Sequence, residues 1–550
     1  LIVPLKSIVQ WRAPEDQRGS VIALGNAFDI LGMIVGSLFA ASMAFIGMDL
    51  GRTLIASSFI VVLATLWSVR LLPEALTRLF FIILTTTFYK IRIFGRENIP
   101  KEGAALLVAN HLSVTDAFFV MAAVDRPVRF IINEFHYNKW WFKPFALAMD
   151  AIPVPYSADP ETFKKAMRQA GKLLKRDHIL CIFPEGQVSR TGMMQPFCVG
   201  VEKIIEGRSC PIIPINLDRV WGTIFSPKGG RYIPRRPQSI PHPMSVSIGK
   251  PLPPDTCFTH IRNEIKELGC NAWMDRKDDE VPIHLHFMRS VWRAPWKLAL
   301  VDCENRKISR LKVLTSSIVL ARLLKEGWEN QKIIGILLPP SLFGVLINLA
   351  ATITGRTVVN LNYVDGEEEL FYCIKDSGIQ SIITSREFLQ KFNIDFPDFL
   401  EIIYLEDIKN GITSAKKFSS MLLGLLAPKK MLETLCGSVK DKEVEDLLTV
   451  IYTRGITTQP KGVMLSHFNI SSNVEGVSLI VPATNYKDKL LHSIPLSHSF
   501  GYMAMWLGLN HGLPLILHPD PLDTSGISNL IKDHKATMLW TTPQIGRAHV

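Results

Sequence analysis

No C-x-x-C pair occurs in this chain, and its eight cysteines, at positions 181, 198, 210, 257, 270, 303, 373 and 436, are scattered. That spacing offers neither the paired thiolates of a structural zinc site nor a disulfide framework, and it fits reduced thiols in a cytosolic setting. His284 and His286 form an H-x-H, but no Cys or carboxylate pattern nearby completes a ligand set, so no metal is expected. No lysine- and arginine-rich run with interleaved aromatics is present, which argues against nucleic acid as the partner of a chain with net charge +11. The first residue is Leu1, and no charged leader or cleavage motif precedes the first apolar stretch. A signal peptide is therefore not expected, and the sequence reads as an internal fragment. Internal repeats and low-complexity tracts are missing as well. At the far end, residues 545–550 match one reading frame of a common sequencing adapter and are expected to be an artefact.

What is there begins with apolar residues. They make up 47% of 550 residues, with a mean hydropathy of +0.19, and a chain of this length needs more than one core. Between Arg18 and Asp49 the one charge is Asp29, and Arg52 to Arg70 brackets a second uncharged stretch. A crossing helix needs about 20 apolar residues, so both stretches are candidate spans, with a pair of buried core helices as the alternative. Lys6, Arg12 and Arg18 precede the first, and Arg70, Arg78, Lys90 and Arg92 follow the second. The positive-inside rule then puts both outer ends in the cytoplasm, facing an anionic leaflet that suits the basic charge. Leu79–Tyr89 is uncharged but too short to span, and an interfacial or re-entrant helix is expected there. Trp11-Arg12-Ala13-Pro14-Glu15-Asp16-Gln17-Arg18-Gly19 followed by two spans resembles the last helices of a major-facilitator lysophospholipid transporter. Residues 1–75 would then be a remnant of such a domain, with too few helices to transport alone.

From about 104 to 275, short apolar strands alternate with helical patterns. Residues 104–109, 128–132, 179–183, 212–216 and 244–248 read as strands, and 117–123, 160–175 and 200–206 as helices, an α/β arrangement. After the first strand comes Asn110-His111-Leu112-Ser113-Val114-Thr115-Asp116. A hydroxyl attacking a thioester needs a general base, and histidine titrates near working pH. A carboxylate on the other ring nitrogen would fix the tautomer and stabilise the cation. Taken alone, the spacing is far more often that of a Ser113 or Thr115 helix cap beside an incidental histidine. Phe183-Pro184-Glu185-Gly186 then ends a later strand, and Pro211-Ile212-Ile213-Pro214-Ile215 follows. In this order the three elements resemble the lysophosphatidic-acid-type acyltransferase family, over roughly 78–254. The resemblance implies His111 as base, Asp116 as its orienter, and Asn110, Pro184, Glu185 and Gly186 as parts of the acceptor site. The chemistry implied is transfer from an acyl thioester, of acyl-carrier protein or coenzyme A, to a lysophospholipid, with no cofactor. Two family arginines are replaced: Gln187 and Val188 follow Glu185-Gly186, and Ile152-Pro153-Val154-Pro155 lacks its basic residue. Their loss favours an acceptor with a phosphodiester, such as lysophosphatidylethanolamine, over a phosphomonoester.

The charged run Asp275-Arg276-Lys277-Asp278-Asp279-Glu280 reads as a solvated linker. Beyond it a second α/β pattern has strands at 333–338, 357–360, 381–384, 402–405 and 448–452. The last runs into Thr453-Arg454-Gly455-Ile456-Thr457-Thr458-Gln459-Pro460-Lys461-Gly462. A loop of Gly, Thr and Lys after a strand can wrap phosphates, although Pro-Lys-Gly is also an ordinary turn. With Pro495-Leu496-Ser497-His498-Ser499-Phe500-Gly501 and Thr542-Pro543 downstream, residues 284–543 resemble the adenylate-forming acyl-activating superfamily. That resemblance implies ATP and magnesium, and Thr453, Gly455, Thr457, Lys461 and Gly462 as nucleotide contacts. Arg454, Ile456 and Thr458 depart from the family pattern T-S-G-[ST]-[TE]-G-x-P-K-G. The later adenylate motifs and the small C-terminal domain also lie past the last residue given, so this segment alone is not expected to complete adenylation.

The whole order resembles bacterial proteins that fuse a lysophospholipid transporter, an acyltransferase and an acyl-carrier-protein synthetase. The expected fold is accordingly multidomain: two transmembrane helices, an α/β acyltransferase domain over 76–274, and the incomplete α/β N-terminal domain of an adenylate-forming enzyme. The expected setting is the bacterial inner membrane, with the catalytic domains in the cytoplasm. A transporter fragment and a catalytically impaired membrane scaffold remain the alternatives.

Overall fold

The computed structural model describes Ala13 and residues 17–541 apart from 72, 141, 155–159, 199–203, 206–208, 224–225, 227–240, 326, 329, 365, 393, 395, 427–430, 432–433, 435, 437–442, 454–458 and 482–487. Most of the Trp11–Gly19 motif, most of the helix expected at 200–206, Gly455, Thr457, Thr542-Pro543 and the 545–550 tail therefore lie outside the described residues. The chain forms two compact units.

The first unit comprises Leu1–Lys90, Pro100–Leu106 and Ala117–Ile182. Its first helix, Arg18–Phe45, has 28 residues, none of them buried, and is long and apolar enough to cross a membrane. At 1.5 Å per residue it reaches about 42 Å. The second expected span forms the helix Leu50–Leu71, within which residues 53–69 carry no charge. Pro73–Phe88 follows as a third helix with two unlike faces. Thr77, Phe81 and Thr85 are buried, with Phe81 stacked on Phe118 at 3.8 Å, while Phe80, Ile83, Leu84 and Phe88 are exposed. That half-covered apolar helix is the shape expected of an interfacial segment.

The α/β region that follows has seven strands among the described residues. Its strands are β1 (Tyr89–Phe94), β2 (Ala105–Ala109), β3 (Val128–Asn133), β4 (Ile152–Val154), β5 (Ile179–Ile182), β6 (Ile212–Asp218) and β7 (His242–Ile248). In the first unit β3 runs parallel to both β4 and β5, and in the second β6 and β7 are antiparallel. Every residue of β2, β5 and β6 is buried, as expected of strands covered on both faces; β2 and β5 are unbroken apolar runs, and β6 buries Asn216 and Asp218 as well.

The second unit, Ile91–Ile99, Leu107–Asp116 and Phe183–Val550, also holds two further sheets. One has the order β13-β12-β10-β11-β14-β15, from β10 (Ile333–Ile336), β11 (Thr357–Asn360), β12 (Ser381–Thr384), β13 (Glu401–Tyr404), β14 (Leu447–Thr453) and β15 (Lys461–Ser466). It is parallel except where β14 turns back into β15. The other, β18-β16-β17-β8-β9, joins β8 (Leu298–Val301) and β9 (Lys307–Ser309) to β16 (Leu490–His492), β17 (Leu515–Leu517) and β18 (Met538–Leu539).

The expectation of a solvated linker at 275–280 is met in part: Asp275, Asp278 and Asp279 are exposed, and Arg276 is not. Asp275–Asp279 is a 3-10 turn in which Arg276 is buried between Asp218 and Glu475, and Arg219 meets Asp279 and Glu280. A charged run stays in water only when nothing opposite faces it, and here both flanking domains supply the counter-charges. Of the H-x-H pair, His284 is buried in the helix Ile283–Arg293 and His286 is bonded to Glu280 at 2.9 Å.

Candidate active site

β2 delivers its last residues into a loop that the helix Asp116–Ala123 closes. Asp116, fully buried, is the hub of that loop. Its Oδ2 lies 2.9 Å from His111 Nδ1 and accepts from the backbone N–H of Leu112 at 2.6 Å and of Ser113 at 2.9 Å. With Nδ1 carrying the proton toward the carboxylate, Nε2 is left with its lone pair available, the tautomer a general base needs. The imidazole stacks on Phe183 at 4.3 Å and its side chain keeps 19% of its surface exposed. Ser113 and Thr115 bond to each other, hydroxyl to hydroxyl at 2.9 Å, inside the loop. The spacing read from sequence is thus a side-chain pair, and the Ser113 hydroxyl also accepts from Thr115 N–H at 3.2 Å ahead of the helix.

The four residues expected at the acceptor site divide. Asn110 is buried, and its side chain is used up on β6: its amide N–H donates to the Leu217 carbonyl at 3.0 Å, and its Oδ1 accepts from Leu217 N–H at 2.7 Å. Glu185 is 3% exposed, with Oε1 accepting from His111 N–H at 2.8 Å and Oε2 from Gln195 N–H at 2.7 Å. Burial raises its carboxyl above the usual range, and the two N–H bonds work against that rise. Pro184 is buried and its carbonyl accepts from Cys198 N–H at 2.8 Å. In these three, polar atoms are bonded to backbone, which gives each a fastening role in the loop beside the expected substrate contact. Gly186 alone of the four is open, at φ 69, where a Cβ would meet Cys198 Sγ at 3.3 Å.

Partners that the sequence did not single out complete the site. Ser189 N–H donates to the His111 carbonyl at 2.8 Å, and the Ser189 hydroxyl in turn bonds the Met193 carbonyl at 2.7 Å. Phe183 supplies the face on which the imidazole rests. Backbone partners carry no sequence signal, whereas Phe183 stands inside the motif already read. Gln187 and Arg190, after the Glu-Gly pair, are exposed.

In the second sheet Thr453 ends β14 and Lys461 opens β15, directly paired across the hairpin. Lys461 and Gly462 are exposed, and a Cβ on Gly462 would come within 3.1 Å of the Tyr452 ring, so packing against Tyr452 also favours glycine there. A cavity of about 1120 Å³ opens beside the hairpin, lined among others by Asn360, Thr453, Gln459, Pro460, Ser497 and His498. His498 caps the helix Ser499–His511 by accepting from Phe500 N–H at 3.2 Å.

Comparison with known proteins names both regions. Residues 90–218 match the family model "Acyltransferase", and residues 287–550 match "AMP-binding enzyme". The chain therefore carries an acyltransferase domain followed by an AMP-binding domain. Among curated proteins it is similar to the "Long-chain-fatty-acid--CoA ligase" of Bacillus subtilis, 27% identical over 286 residues covering 46% of this chain and 49% of the relative. It is also similar to "Gramicidin S synthase 2" of Brevibacillus brevis, 27% identical over 262 residues covering 47% of this chain and 5% of that protein. The chain thus spans half or less of the length of these relatives. A solved structure of O-succinylbenzoate coenzyme A synthetase from Bacillus subtilis in complex with AMP aligns with a TM-score of 0.40 and 18% identity, over 48% of this chain and 63% of that one.

Proposed function

We propose that the acyltransferase domain moves an acyl group from a thioester to the free hydroxyl of a lysophospholipid, with His111 as general base. The observation that carries this reading is the His111 Nδ1–Asp116 bond at 2.9 Å, which leaves Nε2 to face the reactants. Nε2 takes the hydroxyl proton as that oxygen attacks the thioester carbonyl, and Asp116 stabilises the imidazolium that results. The tetrahedral intermediate collapses by breaking the C–S bond, and the departing thiolate takes the proton back from His111. The products are the diacyl lipid and the free thiol of acyl-carrier protein or coenzyme A.

The acceptor we favour carries a phosphodiester, because Gln187 and Val188 stand where a second cation would face a phosphomonoester dianion. Location at a bacterial inner membrane, with this domain in the cytoplasm, is the companion proposal, supported by the uncovered Arg18–Phe45 helix and the basic residues flanking it. For the AMP-binding domain, ATP with magnesium would supply acyl activation. The cavity bordered by Thr453, Gln459 and Pro460 has the room and the polar edge for a nucleotide. We propose that Arg454, Ile456 and Thr458 impair that use by placing bulk where the family pattern is small.

The test is to incubate membranes carrying this chain with labelled acyl thioesters and a panel of lysophospholipids. Transfer to lysophosphatidylethanolamine that His111→Ala abolishes is the expected result. Faster acylation of lysophosphatidate would overturn the acceptor assignment, and no transfer to any lysophospholipid would overturn the function.

A further inference from the structure

Arg276 ties the acyltransferase domain to the AMP-binding domain through one buried guanidinium. Its Nε donates to Asp218 Oδ2 at 2.9 Å and its Nη2 to Asp218 Oδ1 at 2.5 Å, a bidentate fork. Its Nη1 donates to Glu475 Oε1 at 2.7 Å, and the whole plane lies 3.6 Å over the Trp273 ring. Asp218 is the last residue of β6, and Glu475 belongs to the helix His467–Ile480 of the AMP-binding domain. Guanidinium geometry allows this double grip; an ammonium of similar reach could hold one carboxylate but not all three bonds.

The grip falls next to the catalytic loop. The residue before Asp218 is Leu217, whose N–H and carbonyl are both bonded to the side chain of Asn110, and Asn110 is joined by a peptide bond to His111. Glu475, Arg276, Asp218, Leu217, Asn110 and His111 are thus connected without a gap. Every link is a hydrogen bond of 3.0 Å or less or a covalent step. Asn110 can hold the loop only where Leu217 stands, and Arg276 fixes the strand end that Leu217 precedes. A general base displaced by about 1 Å loses much of its effect, so the placement of β6 reaches the rate.

We infer that Arg276 is a positioning residue for His111, and that through Glu475 the AMP-binding domain holds the acyltransferase centre in its working geometry. The inference rests on acyl transfer by His111. Separate ties, Arg219 to Asp279 at 2.9 Å and Lys277 to Glu445, keep the junction assembled when Arg276 is changed.

The experiment uses the full chain in membranes or detergent and compares wild type with Arg276→Met, Arg276→Lys, Glu475→Gln and the double variant Asp218→Asn/Arg276→Met. The double variant removes the fork without leaving a buried carboxylate unpaired, and it decides the matter where Arg276→Met does not fold. Expected are a fall in kcat of about tenfold for Arg276→Met and about threefold for Glu475→Gln, with KM for both substrates within about twofold. Lysine at 276 should recover part of the loss, and backbone exchange at His111–Ser113 should quicken in step with the fall in kcat. Unchanged kcat in Arg276→Met or in the double variant, or loss confined to thermal stability with His111–Ser113 exchange unaltered, would overturn the inference. A wild type without acyl transfer speaks against the proposed function instead, and amide exchange alone then decides the coupling.

Discussion

The two candidate site loops of this chain are built on different plans. Around His111, side chains reach across to backbone: Asp116 holds Leu112 and Ser113, Glu185 holds His111 and Gln195, and Asn110 holds Leu217. At the second loop the ends are set mainly by strand pairing, Thr453 opposite Lys461 and Tyr452 opposite Gly462, with the Thr453 hydroxyl also reaching the Lys461 carbonyl at 3.4 Å. A loop fastened by side chains ties its shape to a few residue types. A hairpin register tolerates change between its ends, and the departures at 454, 456 and 458 fall in that interval.

The largest expected effect comes from removing the base. His111→Ala should lower acyl-transfer kcat by about 10²–10⁴-fold with the fold intact by circular dichroism. Asp116→Asn should come close to it, because the amide can offer an N–H where an acceptor is required and favours the wrong tautomer. Glu185→Gln tests the fastening plan directly. One end of the amide must present N–H to a backbone N–H, so a loss of about 1.5–3 kcal/mol is expected, read as a fall in kcat/KM and faster exchange at His111 and Gln195. Full activity in Glu185→Gln would break the comparison. At the second loop, Arg454→Ser/Ile456→Ser/Thr458→Gly should leave the melting temperature within about 2 °C and tighten ATP binding measured by calorimetry; unfolding of that variant would show that the interval matters to the fold after all.

The smallest effect concerns pH. Burial raises the Glu185 carboxyl in the folded state, so folding favours its protonated form. Its contribution is present below the ordinary carboxyl range and is lost as pH rises through the raised value. Glu185→Gln should remove that slope from the melting temperature measured on the acid side of neutrality.

Sequence carried the architecture well where short β-branched runs stood between turns. The strands expected at 357–360 and 381–384 occur as β11 and β12 with those bounds, because short β-branched runs between turns leave little choice of register. The contact between His111 and Asp116 was also legible, since it depends on two side chains close in the chain. What sequence could not carry was direction. Asn110, Pro184 and Glu185 sit in the motif as if to meet a ligand, yet they turn toward backbone supplied by Leu217, Cys198 and Gln195, which have no residue-type signature. The run at 275–280 was legible only in part for a related reason. A charged segment looks solvated until its partners are known, and Asp218 and Glu475 come from opposite sides of it in the chain.

The most direct measurement is acyl transfer from a labelled acyl thioester to lysophosphatidylethanolamine by membranes bearing the wild-type chain or His111→Ala at equal abundance. Label in the diacyl lipid with wild type and none above background with His111→Ala is the predicted result. Equal transfer by the two chains would contradict His111 as the base on which the account stands.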